Sequence, residues 1–545
     1  MNPAAAVPLT ATPDSWGVPS ALRALGHVLS PTNFPYGSNG HLFRDAQFGR
    51  DSLEVAEDLL EIRPEIARAV IIGLATLQGT SSDSRSEEEP GKIPHEHRAL
   101  TMYGRPIAQE SADILRWLAK YWRPNDSDED LLAFTELTNY STVDATPLYV
   151  RLVARVCAHY GAGILDDVYQ PLRSPSLDRS STIRDSVRAA VQWIASKLED
   201  SDLGMLEWHR MNPRGHRFQA WKDGATSYIH DDGTYANYTS PMASIEVQGL
   251  AFDALTAAPH LLANASAQDS KRWSKLAAAL QRNTLDRFWM PDRRYFAMAL
   301  DRSPKTGDVR QIRTLTSNPG ALCDSGIFDG LEDEHQRAYL EPVVERLYSP
   351  EFLTPAGIRC TSIRHKDLLD YCGYQSSYTV WHKETYDIAK GLRRQGFPLL
   401  AGDLKHRMLN AVNVTGSLTE FLYAFPDNHV DFEPLNIGSR EDQEVYFATN
   451  VPENEQAWTI SAVLASKYGR GRRASPVRGQ TWQTEVEDRC LRSSGTVVLM
   501  QSRSEIERAR RTDHGFRIDR QGGFEREAAW TRAHEIENPE EFKNL

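Results

Sequence analysis

Apolar residues recur along much of the chain at a spacing of three and four. Val55, Leu59 and Ile62 start one such stripe, and Ile66, Val70, Leu74 and Leu77 resume it after Pro64. Leu148, Leu152 and Val156 make a second stripe, and Val187, Val191, Ile194 and Leu198 a third. This spacing lays one apolar face along a helix of 3.6 residues per turn. Further helical stretches are expected near 105–122, 243–262, 271–289, 377–396, 399–412 and 455–467. Roughly a dozen helices and few alternating strands follow from this pattern.

Long polar stretches separate the helices, among them "SNGHLFRDAQFGRDS", "SEEEPGKIPHEHR", "FQAWKDGATSYIHDDGTYANY" and "RCTSIRHKDLLDYCGYQSSYTVWHKE". Their Trp, Tyr and Phe content argues against disorder and for a working loop surface. Only "SSDSRSEEE", Ser81 to Glu89, has the composition of a mobile segment. After residue 470 the character changes to basic "GRGRRASPVRG" and then to a charged tail with one apolar patch, Thr496 to Met500. Three regions are therefore expected: a lead-in over 1–34, one catalytic unit over 35–470 and a charged appendage over 471–545.

Composition narrows the function. The chain has 545 residues, 40% of them hydrophobic, and a net charge of −12. An acidic balance argues against nucleic acid as a partner, since phosphate binding needs a basic face. No basic-then-apolar leader precedes the first alanine run, and no apolar run reaches the length of a membrane helix. The five cysteines, Cys157, Cys323, Cys360, Cys372 and Cys490, are odd in number and lack CxxC spacing. That predicts reduced thiols in a cytoplasmic protein, without a disulfide framework or zinc site. The "HEH" at His95–His97 is not the i, i+4 histidine pair of a zinc helix, so neither metal nor cofactor is expected. The pattern leaves the oligomeric state open.

Loops dense in aromatics and carboxylates suit a carbohydrate. Sugar C–H faces pack on indole and phenol rings, and sugar hydroxyls need fixed acceptors and donors. Cleaving a glycosidic bond takes two carboxyl groups, one protonated and one ionised. The chain holds many carboxylates, and spacing alone does not choose among them.

A set of ordered motifs does choose. "FGRDS" (Phe48–Ser52), "EEPGKIPHEHR" (Glu88–Arg98), "YSTVDATPLYV" (Tyr140–Val150), "AWKDG" (Ala220–Gly224) and "SPMASIEVQGLAFDAL" (Ser240–Leu255) come first. "FAMALD" (Phe296–Asp301), "LTSNPGALCDSGI" (Leu315–Ile327), "SLTEFLYAF" (Ser417–Phe425) and "NEQAW" (Asn454–Trp458) follow. Together, across about residues 35–468, they resemble the amylo-α-1,6-glucosidase family, the glucosidase part of glycogen-debranching enzymes. The resemblance implies an all-α (α/α)6 barrel with long active-site loops and an exo-acting, inverting α-glycosidase. It implies Asp223 as general acid and Glu420 as general base holding a water, with Glu384 the other candidate base. Arg50, Asp51, Lys92, His95, Glu96, Asp144 and His382 would line the sugar site, Trp221 and Trp381 would stack on the ring, and Glu246 would support it. Lys222, beside the acid, is expected to face a different partner, because a cation close to the acid would hold it ionised. Taken as ordinary residues, Asp51 and Asp144 would be helix-start acids, and Glu420 a first-turn acid ahead of an apolar helix.

The match departs at the sugar site itself. "VWHKET", Val380–Thr385, replaces the family's VWPHDN, "LTEFL" has lost a proline, and "WKDG" carries glycine where the family has serine. An α-glucoside, α-1,6 linkages included, is the leading substrate. Hydrolases of mannosylglycerate, glucosylglycerate or α-rhamnosides, an inactive carbohydrate-binding barrel, and a phosphorylase are the alternatives.

Overall fold

The computed structural model describes residues 18–40, 42–123, 126–127, 130, 134–172, 180–224, 226–368, 373–424, 430–431, 452–468, 481–494, 496–499 and 517–520. Among them helices dominate: α1 (Val18–Val28), α2 (Gly49–Asp58), α3 (Pro64–Leu77), α4 (Gln109–Trp122), α5 (Ala145–Tyr160) and α6 (Ile183–Asp200). Next come α7 (Ile245–Leu261), α8 (Ala267–Arg287), α9 (Asp333–Leu347), α10 (His382–Arg394), α11 (Pro398–Thr415), α12 (Ala457–Tyr468) and α13 (Thr481–Ser493). A single helical turn spans Asn318–Ala321.

Local chemistry sets many of the boundaries. Pro64 opens α3, where its fixed φ suits the first helical position and its missing N–H costs nothing. Thr182 and Asp185 form a reciprocal capping box at the start of α6. Gly416 ends α11 in the left-handed region, at φ 64°.

The helices pack in a cycle. α2 touches α5, α5 touches α7, α7 touches the 318–321 turn, that turn touches α10, α10 touches α12, and α12 returns to α2. A second helix backs each member: α3 on α2, α6 on α5, α8 on α7, α9 on the turn, α11 on α10 and α1 on α12. Leu53, Ile71, Leu148, Val191, Ile245, Leu255, Leu392 and Ile460 lie in one continuous buried apolar cluster between these layers. The cycle closes where Ala457 N–H donates to Gly37 O at 2.9 Å and Ser38 pairs with Gln456.

Inside the cycle the contacts are ionic. From Gly49 to Glu57 every residue of α2 is buried, so its acids must find partners. Glu57 accepts from Arg151 at 2.9 and 2.8 Å and also pairs with Arg155, both on α5. Lys383 of α10 bridges Glu54 at 2.7 Å and Asp387 at 2.8 Å, and Lys390 reaches Asp58 at 2.6 Å.

Strands are short and serve the loops. Residues 47–48 pair with 96–97, and Glu96–Ala99 pairs with Glu136–Asn139. Thr379–Trp381 pairs with Phe421–Tyr423, Trp381 opposite Phe421.

Several expectations change. The helix expected from 105 starts at Gln109, because residues 101–106 form a hairpin through Tyr103 and Gly104, both at positive φ. The stretch expected as helix over 377–396 begins as a strand. Glu420 precedes the strand Phe421–Ala424, not a helix. The segment 81–89 is held in place: Glu88 accepts from the N–H groups of Thr80 and Ser81 at 2.8 and 3.1 Å, and the Glu87 carboxylate from Asn212 N and Gln219 Nε2 at 3.0 and 2.6 Å. Its acids act there as acceptors for backbone and side-chain donors. The expected lead-in contributes α1 to the core through Ala21, Leu25 and Val28, and the expected appendage contributes α13 through Trp482, Val486 and Leu491. The remainder of that appendage lies largely outside the described residues.

Candidate active site

The helices of the inner cycle begin where the candidate residues gather. Arg50 and Asp51 stand in the first turn of α2, Asp144 immediately before α5, Glu246 in the first turn of α7, and His382 to Glu384 in the first turn of α10. Arg50 ties three segments together. Its Nη1 donates to Asp144 Oδ2 at 3.0 Å and its Nη2 to Asp223 Oδ2 at 2.8 Å, while its Nε stands 3.9 Å from Asp51. Asp144 is therefore not a helix cap. Its side chain makes no capping bond to α5 and accepts instead from Arg50 and, at 2.6 Å, from Thr142 Oγ1. Burial pushes the Asp51 carboxyl up to about 7, against the nearby Arg50 charge.

Asp223 and Glu420 are held by consecutive residues of one loop. Gln375 Nε2 lies 3.4 Å from Asp223 Oδ1, and the Tyr374 hydroxyl donates to Glu420 Oε1. Gln375 Oε1 in turn accepts from Gly224 N at 3.0 Å and Ser227 Oγ at 2.7 Å. A Cβ on residue 224 would come within 2.5 Å of that oxygen, which accounts for glycine beside the acid. Glu420 also lies 3.4 Å from Glu453 N and 3.5 Å from Gln456 Nε2. At 1% exposure, burial pushes its carboxyl well above the usual range; the Glu453 and Asp51 charges add to this and the Tyr374 hydroxyl opposes it. The expected ionised base is thus held toward its neutral form, because little water reaches it.

Behind Asp223 the structure locks the neighbouring lysine. Lys222, fully buried, donates to Glu384 Oε1 at 2.9 Å, Ser317 Oγ at 2.7 Å and Cys360 O at 2.9 Å. Trp221 Nε1 and Ser317 Oγ reach the same Glu384 oxygen at 3.2 and 2.7 Å. Lys222 faces away from the acid, as expected. Glu384, the other candidate base, is the counter-ion of the buried lysine through Oε1, while its buried Oε2 has no hydrogen-bond partner.

The aromatic expectations change as well. Trp381 is fully buried, stacked on Phe421 at 5.0 Å and edge-on to Trp221, Tyr374 and Trp458 at 4.9, 4.7 and 5.6 Å. It stands within the aromatic core. The Trp221 ring is largely buried, with the Lys383 ammonium 4.4 Å from its centroid. His382 is completely enclosed, and burial pushes its imidazole down to about 4, so it lines no open pocket.

The remaining candidates divide. His95 is in ring contact with Phe48 at 5.8 Å and His216 at 4.7 Å, and burial, His216 and Arg50 hold its pKa well below the usual range. Glu96 is paired with Arg98 and Glu246 accepts from Ser244 Oγ; burial raises the Glu246 carboxyl. Lys92 reaches Glu87 O at 3.3 Å, Glu89 at 3.6 Å and the Trp193 ring at 5.8 Å, and so braces the 87–92 loop. Gly91 before it has φ 89° and a carbonyl, Ala189 O, 2.3 Å from where a Cβ would sit.

Tyr374, Gln375, Ser317, Lys383 and Glu453 were not singled out in the sequence. The only signal for the first two was the aromatic density of their loop. Among the described residues no cluster of three or more His, Cys, Asp or Glu could hold a metal, and no helix is long and apolar enough to cross a membrane. Cys157, Cys323, Cys360 and Cys490 are free, and Cys372 lies outside the described residues.

No family profile matches the chain, and no curated protein does. Among solved structures, the chain is similar to a GH63 mannosylglycerate hydrolase from Thermus thermophilus in complex with glucose, at 14% identity and a TM-score of 0.48 over 83% of this chain and 99% of that one. It is similar also to a wild-type glycosidase, at 13% identity and a TM-score of 0.46 over 82% of this chain and 94% of that one.

Proposed function

We propose that the chain is an exo-acting, inverting glycoside hydrolase built on an (α/α)6 barrel, cleaving an α-glucosidic bond with Asp223 and Glu420 as its two carboxyl groups. The observation that carries this reading is the Tyr374–Gln375 pair. Consecutive residues hold one carboxyl each, which brings the two carboxyl groups to one site. An inverting enzyme needs its two carboxyl groups roughly 6.5–9.5 Å apart, which leaves room for a water between the second carboxyl and the sugar. The closed helix cycle, with Arg50, Asp51, Asp144 and Glu246 at or beside helix starts, supports the barrel. The inverted chemistry has Asp223 protonate the leaving oxygen while Glu420 takes a proton from water.

The burial of Glu420 and the Arg50–Asp223 ion pair favour a second reading in which the roles exchange, Glu420 giving the proton and Asp223 activating the water. Chemical rescue separates the two. An α-glucosyl fluoride needs no acid, because fluoride leaves unaided. Asp223→Asn is expected to lose at least about a thousandfold on an unactivated α-glucoside yet keep most of its turnover of the fluoride, with Glu420→Gln losing both. The opposite pattern assigns the acid to Glu420. Full activity on both substrates in both variants would remove the pair from the chemistry.

A further inference from the structure

Glu420 has a carboxylate neighbour that the proposed chemistry leaves unused. Glu420 N donates to Glu453 O at 2.9 Å, and Glu453 N lies 3.4 Å from Glu420 Oε2, so the two residues face each other across a backbone bridge. Gln456 N donates to Leu418 O at 3.0 Å and Thr459 Oγ1 to Thr419 O at 2.8 Å, which extends the same bridge.

The Glu453 carboxylate is fixed from a third segment. Its Oε2 accepts from Ser38 Oγ at 3.1 Å and its Oε1 from Leu42 N at 3.0 Å. Both of these donors are neutral groups, which hold a carboxylate without cancelling its charge. A Cβ on residue 40 would run into Glu453 Oε2, so glycine there leaves the space that the carboxylate fills. Two residues on, Glu455 accepts from Asn39 Nδ2 at 2.7 Å and pairs with His27 of α1 at 3.0 Å, which fastens the loop from outside. Glu453 and Glu420 are 8% and 1% exposed, so solvent and salt screen their interaction little. The charged and titratable groups that act on Glu420 are Tyr374, whose hydroxyl donates to it, Glu453, and Asp51, itself close to Arg50, Asp223, Asp144 and Lys383. A second negative charge in such a place disfavours ionisation of the first.

We propose that Glu453 is a positioning residue for Glu420: cradled by Ser38, Gly40 and Leu42, it presents a fixed negative charge that makes Glu420 hold its proton more tightly. The inference rests on the hydrolase reading for its bearing on turnover, but its main test needs none. The infrared band of protonated carboxyl groups is followed against pH, and the part lost in Glu420→Gln is assigned to Glu420. Glu453→Gln keeps the shape of the side chain and an acceptor for Leu42 N. In it the midpoint of the Glu420 band is expected to fall by at least about 0.5 in pH, about a threefold loss of proton affinity. Glu453→Asp keeps the charge and is expected to hold the wild-type midpoint. A contact that only shaped the loop would give the reverse order, because Asp is the poorer fit. Gly40→Ala crowds the carboxylate out of its cradle and is expected to displace the midpoint as well. Circular dichroism confirms the fold of each variant. In turnover, one limb of the pH profile of kcat/KM is expected to move down with the band, the acid limb if Glu420 is the base and the basic limb if it is the acid. A midpoint unmoved in Glu453→Gln or in Gly40→Ala, or moved as far by Glu453→Asp, overturns the proposal. A midpoint that falls as expected in a protein that hydrolyses no α-glucoside overturns the hydrolase reading and leaves the pairing of Glu453 with Glu420 standing.

Discussion

Asp51 shows how burial rather than motif sets a residue's behaviour. It was legible as the acid of "FGRDS", but nothing in that string says that its carboxyl would be pushed up to about 7. An unfolded Asp titrates near pH 3.9, so between about pH 4 and 7 the folded chain holds a proton that the unfolded chain releases. The raised pKa therefore contributes stability below the unfolded value that is lost as pH rises through the folded one. Asp51→Asn removes this dependence. The difference in Tm, variant minus wild type, is expected to grow from pH 4 to pH 8; a flat difference would show that Asp51 titrates normally. Asp223 and Arg50 were legible for the same reason as Asp51: each lies in a string whose residues meet in space. Tyr374 and Gln375 were not, because their partners, Glu420 and Asp223, are 46 and 152 residues away and no spacing along the chain encodes that meeting.

Helices with continuous apolar stripes, such as α3, α5 and α6, could be read directly, since one face of each carries the core. α9 could not, because Pro342 sits inside it and reads as a breaker, although Leu340, Val343, Val344 and Leu347 are buried. The position of one element against another is set instead by single polar groups. Glu384, at the start of α10, takes donors from Trp221 and Lys222 and from Ser317 beside the 318–321 turn, so one oxygen fastens three segments. Glu384→Gln strands a fully buried ammonium and is expected to cost about 3–5 kcal/mol in urea unfolding. Lys222→Met in the same chain is expected to recover part of it, because the pair is removed whole. A single-variant cost below about 1 kcal/mol would mean that the two groups are not coupled.

The composition change after residue 470 is real, yet the molecule does not end there. α13 packs on α9 and α11, and Glu487 Oε1 accepts from Leu399 N at 2.7 Å, satisfying an open N–H at the start of α11. A chain stopped after residue 470 loses the burial of Trp482, Val486 and Leu491, each large side chain stabilising by about 1.5–3 kcal/mol when enclosed. It is expected to melt well below the full chain by calorimetry; equal Tm values would make α13 an ornament. The tail escaped the sequence reading because α13 is rich in Glu, Asp and Arg, and a charged helix that buries one narrow side resembles a solvated one. The closure of the cycle has a consequence of another kind. α1 packs on α12, and Gly37 waits for Ala457, so α1 cannot meet this partner until the chain has been made through residue 457. At about 5–20 residues per second that interval runs to tens of seconds. During it the apolar face of α1 is a standing target for chaperones, and the speed of translation, rather than the strength of any one contact, sets how long the nascent protein stays vulnerable.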